Sequence, residues 1–118
     1  RALLPRLRDL DARLVSVEGG NMRNAIPREA GAVIAVPADK LEAAKAVVAK
    51  VEAEVKVEYA ATDKDAKVYL EDAPLAAEAI EQKVALNLCK ALYGCPSGVE
   101  RMSDAMPGLV ETSTIWQL

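Results

Sequence analysis

A chain of 118 residues is enough for one domain, and at 52% hydrophobic with three Tyr, one Trp and no Phe its core has to be built from Ala, Val, Leu and Ile. The formal net charge is −3, with Lys and Arg mixed among Asp and Glu; there is no basic stripe to suit nucleic acid, and no apolar run nears the roughly 20 residues that span a bilayer. Histidine is absent, which excludes Ser-His-Asp or Cys-His catalysis and the usual His-ligated zinc site within these residues.

Residues 1–9 read as the tail of a helix, with Leu3, Leu4 and Leu7 on one face and Pro5 at its beginning or at a kink. Residues 12–18 alternate, with Leu14, Ser16 and Glu18 against Val15 and Val17, which predicts a half-buried strand. Residues 29–36 predict a second strand, and the simplest pairing of the two is antiparallel. The run between them, Gly19-Gly20-Asn21-Met22-Arg23-Asn24-Ala25-Ile26-Pro27-Arg28-Glu29-Ala30, is longer and more polar than a hairpin needs. Such a loop can hold an amide and a guanidinium out from a rigid sheet, where they could meet a carboxylate or a peptide carbonyl. The plainer reading is that its Asn side chains bond their own backbone.

Residues 38–58 predict a long helix. Asp39 stands three residues before Glu42 in capping-box spacing, and Leu41, Ala44, Val48, Val51 and Val55 form a narrow apolar stripe. The charged residues lie mostly off that stripe, as on a solvated face. Residues 66–71 predict a short edge strand. A second helix is expected from a cap at Asp72 through Pro74 to a left-handed end at Gly94, with Ile80, Val84, Leu88 and Leu92 on one face. Residues 95–108 read as a long irregular loop, and residues 109–117 as a final strand.

This order predicts an α+β fold: a ferredoxin-like antiparallel sheet with two main helices on one face, its first strand missing and an insertion in its second half. The chain opens at Arg1 in what reads as a helix and closes at Leu118 in what reads as a strand, so a single domain over 1–118, cut from a larger protein, is expected.

Few residues could carry chemistry. Arg23 and Asn24 are the first pair, suited to a carboxylate and a carbonyl respectively. Arg101, Ser103 and Asp104 are the second group, with a local capped turn as the alternative. Cys89 and Cys95 are too few for a disulfide framework and have no His beside them, so a small buried hydrophobe and a loop thiol in a reducing cytoplasm are expected. The pairs Glu52 with Glu54 and Asp63 with Asp65 read as solvated.

The string Gly-Gly-Asn-Met-Arg-Asn-Ala-Ile-Pro-Arg-Glu-Ala at 19–30 resembles the lid domain of aminoacyl-histidine dipeptidases, carnosinase-like members of a zinc peptidase family. The resemblance continues at Ala35-Val36 and Ala38-Asp39-Lys40, and returns at Pro96-Ser97-Gly98-Val99, Arg101, Ser103-Asp104 and Val110-Glu111-Thr112-Ser113. It implies a cytoplasmic metallodipeptidase acting on Xaa-His and similar dipeptides. Two divalent metal ions, with zinc expected, would sit in a separate catalytic domain, where a metal-bridged water attacks the peptide carbonyl. The lid carries no metal ligands, mediates dimerisation, and offers substrate an Asn that falls at Asn24, with Arg23 beside it. Arg101 matches a family arginine, although Met102 departs from the Asn expected next to it. The implied partners are the catalytic domain, a short peptide and a second copy, with neither nucleic acid nor membrane. The lid alone would be inactive. A stand-alone ferredoxin-like binding or regulatory module, or a dimerisation domain that never touches substrate, are the alternatives.

Overall fold

The computed structural model describes residues 3–22 and 25–115. A short helix α1 (Leu3–Leu7) runs into a 3-10 turn (Arg8–Leu10) and then strand β1 (Arg13–Gly19). Strand β2 (Ala30–Ala35) returns antiparallel, with Gly19 opposite Ala30 and Leu14 opposite Ile34. The register slips between Leu14 and Ser16, leaving Val15 as a bulge. The bulge breaks the period of two, so Leu14 is buried while Val15, Ser16 and Val17 are all half-buried instead of alternating.

A 3-10 turn (Ala38–Lys40) leads into helix α2 (Leu41–Glu58). Of the expected stripe, Ala44, Val48 and Val51 are buried, while Leu41 at the first turn is exposed. The expected capping box does not form. The helix begins one residue later than that box requires, with Lys40 at the cap and no side-chain bond to the first turn. Lys40 is occupied elsewhere, ion-paired to Asp11. α1 packs against α2, and Arg6 is salt-bridged to Glu54 across that contact.

The segment that follows departs most from expectation. Residues 66–71 are not a strand: they join no ladder among the described residues. The second helix α3 runs over Gln82–Gly94 and not from Asp72. The reason lies at Ile80, whose backbone N–H donates to the Leu14 carbonyl at 2.7 Å. That bond holds the chain against the outer edge of β1 and needs extended backbone there, as does the ψ of 135° at Glu81. Pairing to a strand thus outweighs the local preference for helix. The buried face of α3 is set accordingly. Ala85 is buried with Gln82, Leu86 and Cys89 half-buried beside it; of the expected face, Ile80, Leu88 and Leu92 are half-buried too, whereas Val84 is exposed. Gly94 does not adopt the left-handed conformation; the helix ends with Cys95 extended.

Residues 95–108 are not an irregular loop either. Strands β3 (Gly98–Met102) and β4 (Val110–Thr114) form an antiparallel hairpin, with Val99 opposite Ser113 and Met102 opposite Val110. The later part of the expected last strand, Trp116 and Gln117, lies outside the described residues. The fold class is therefore α+β with antiparallel pairing and two main helices, the strands among the described residues arranged as two two-stranded ladders. The core is thin: among the described residues, Leu7, Leu14, Ala44, Val48, Val51 and Ala85 are the buried apolar ones. The shape is long, 57 × 30 × 22 Å, with a radius of gyration of 16.6 Å, where a compact chain of this length would have about 13.5 Å.

Candidate functional site

The loop between β1 and β2 is anchored by the Gly19–Ala30 pair at its base. Gly20 follows with φ of 81°, a left-handed turn that a side chain would strain. Beyond it the Ala25 N–H donates to the Met22 carbonyl at 3.2 Å. Met22 and Ile26 are both exposed, while Ala25 and Pro27 are half-buried. Arg23 and Asn24, the principal candidates for touching a substrate, lie outside the described residues.

Arg101 is on β3, exposed, and engaged. Its Nη2 donates to Asp104 Oδ2 at 2.8 Å, and its Nε lies 3.1 Å from Glu111 Oε2 on the paired strand. Asp104 is thus a partner of Arg101, and Ser103 closes the same turn by accepting from the Met106 N–H at 3.2 Å. The second group of candidate residues is brought together, as a guanidinium held between two carboxylates. A substrate carboxylate would have to compete with both. Arg101 and the β1–β2 loop sit on different hairpins.

A third charged pair lies elsewhere. Asp11 holds a left-handed φ of 51° at the end of the first 3-10 turn, and its carboxylate accepts from Lys40. That hydrogen bond, with the attraction of the Lys40 charge, lowers the Asp11 pKa below its usual value. The same hydrogen bond raises that of Lys40. The pair ties the entrance of β1 to the entrance of α2. Nothing in the spacing of residues 11 and 40 announces it.

A cavity of about 40 Å³ lies between α1, β1, β2 and α3, lined by Leu7, Leu14, Ile34, Ala85, Leu86 and Cys89 among others. Its lining is mostly apolar, with Arg8 and Gln82 as its charged and amide side chains. Cys89 is half-buried on its wall and Cys95 is exposed beyond the helix end, and neither is in a disulfide. Among the described residues no three of His, Cys, Asp or Glu come together as a metal-binding group, and no helix there is long and apolar enough to cross a membrane.

Comparison with known proteins places this geometry. The cytosol non-specific dipeptidase of Escherichia coli strain K12 is 39% identical over 113 residues, which is 96% of this chain and 23% of that protein. The crystal structure of aminoacylhistidine dipeptidase from Vibrio alginolyticus superposes with a TM-score of 0.86 at 35% identity, again over 96% of this chain and 23% of that one. The chain therefore spans under a quarter of the length of these relatives. Residues 3–63, from α1 through α2, match the peptidase dimerisation domain of the M20 peptidases, and the chain belongs to that family.

Proposed function

We propose that this chain is the lid and dimerisation part of a cytoplasmic metallodipeptidase that hydrolyses Xaa-His and similar dipeptides. The observation that carries this reading is the 39% identity, sustained over 96% of the chain, to a protein named a cytosol non-specific dipeptidase. The solved relative named an aminoacylhistidine dipeptidase shares the fold at a TM-score of 0.86. The partners in this reading are a catalytic portion of the same polypeptide, a short peptide substrate and a second copy of the chain.

The described residues do not fit a metal ion: no His is present, and their carboxylates and thiols form no cluster of three. Divalent ions, with zinc expected, would be held by the catalytic portion and supply Lewis-acid chemistry there. The contribution of this chain is orientation. The Asn24 amide would donate to a substrate carbonyl or carboxylate as the lid closes, and the Arg23 guanidinium would receive a carboxylate. Arg101 remains a weaker substrate contact in this reading, since Asp104 and Glu111 already occupy two edges of its guanidinium.

The test is made on the full-length enzyme. Hydrolysis of Xaa-His dipeptides is expected, and Asn24→Ala should lower kcat/KM by about 10²-fold, the size of one lost oxyanion-type donor. Full-length protein that cleaves no dipeptide sinks the reading. The match to a family described by dimerisation favours a second reading, in which the domain only joins two copies. An unchanged kcat/KM for Asn24→Ala in an active enzyme would select it.

A further inference from the structure

The β3–β4 hairpin is built to display apolar surface. Val99, Met102, Met106, Leu109 and Val110 are each at least 41% exposed, and every residue of β3 and the first four of β4 are exposed. Met102 and Val110 are opposite each other in the register, so two of these side chains form a cross-strand pair facing water. A two-stranded hairpin with both faces wet is marginal by itself. This one is nevertheless closely tied at its tip. The Ser103 N–H donates to the Leu109 carbonyl at 2.8 Å and the Leu109 N–H to the Met106 carbonyl at 3.1 Å. Ser103 Oγ receives the Met106 N–H, and Arg101 clamps Asp104 and Glu111. An apolar surface held rigid in advance loses little entropy when something covers it, and Met is a side chain that adapts to a partner.

We propose that this hairpin is the docking surface for the portion of the same polypeptide that the relatives carry beyond this domain. The inference rests on the reading of the chain as a lid within a longer dipeptidase. Two observations, one of length and one of charge, choose that occupant. The chain spans only 23% of each relative, so in those relatives most of the polypeptide lies outside the matched region. Charge defines the complementary face: Glu100, Asp104 and Glu111 stand against Arg101 alone between residues 98 and 114, which fits an apolar patch rimmed by Lys or Arg.

The experiment replaces Met106 by the photo-cross-linking residue benzoylphenylalanine in the full-length enzyme. Irradiation should give an intrachain cross-link, at monomer mass, to a peptide outside residues 1–118. A cross-link at dimer mass, one confined to residues 1–118, or none at all overturns the proposal. If that variant does not fold, peroxide oxidation of the unsubstituted enzyme reads the same surface. Met102 and Met106 should react about tenfold more slowly than in the unfolded chain, at all enzyme concentrations. Reaction at the unfolded rate, or protection that vanishes on dilution, overturns it. Dipeptide hydrolysis is scored separately, so an intrachain cross-link in a protein that cleaves no dipeptide would spare the docking surface and remove the assigned activity.

Discussion

Leu14→Ala is the most searching test of the packing. Leu14 is 5% exposed on β1 and lines the 40 Å³ cavity together with Leu7, Ile34, Ala85 and Leu86. The substitution removes three carbons, about 2.4 kcal/mol of transfer free energy at roughly 0.8 kcal/mol each. It also enlarges a gap that the half-buried Ile34 and Leu86 can only partly close, so a total loss of about 3 kcal/mol is expected. Urea unfolding followed by circular dichroism should show the midpoint fall with the slope unchanged, and Tm should drop by about 10–15 °C. Val57→Ala is the control. Val57 is 80% exposed on α2, and its truncation should stay within about 0.5 kcal/mol. A loss below about 1 kcal/mol for Leu14→Ala would refute the claim that β1, α1 and α3 share a core around this residue.

Three further outcomes are expected. Asp11 is held below its ordinary pKa and Lys40 above its own, so their pairing stabilises the fold between the two. The Asp11 contribution is complete above about pH 4 and is lost as pH falls through the lowered pKa, while that of Lys40 is lost as pH rises beyond about 10.5. The stability gap between the parent and Asp11→Asn in urea should therefore be open at pH 7 and close towards pH 2; a gap independent of pH would count against the pairing. Arg101→Ala should speed hydrogen exchange across residues 98–114 while changing global stability by less than about 1 kcal/mol, because both its ion pairs are exposed; unchanged exchange would show that the clamp holds nothing. The outer edge of β2, an uncharged Ala-Gly-Ala-Val-Ile-Ala run with no partner strand among the described residues, should make the 118-residue chain self-associate; a clean monomer by light scattering at high concentration would contradict this.

The elements that could be read from residue order are those whose signal is local. The β1 and β2 strands, the α2 helix and its Ala44, Val48 and Val51 stripe follow from periodicity over windows that a single element fills. The start of α3 could not be found this way. Asp72 and Pro74 look like a helix entrance, but the Ile80 N–H bond to Leu14 joins residues 66 positions apart, and no short window contains it. The bulge at Val15 likewise depends on β2, and it spoils an alternation that is regular in the sequence. The second hairpin was partly legible. Pro107-Gly108 is a strong turn signal, and Gly108 does adopt a φ of 85°, but the slips around Arg101 hide the alternation of β3. The charged neighbours of Arg101 were on the page as Asp104 and Glu111; only the hairpin register brings the second within reach.

The length of the molecule carries a mechanical consequence. A body 57 Å long and 22 Å thick acts as a lever. Pivoting by ten degrees about one end carries the other through roughly 10 Å, a travel that a few backbone angles at a hinge can supply. Opening and shutting a cleft would then ask little deformation of the arm itself. The stiffness would have to come from the 18-residue α2 and the ties at its two ends, Lys40 to Asp11 and Glu54 to Arg6. A domain with so little buried interior can still transmit motion faithfully if its struts are braced at both ends.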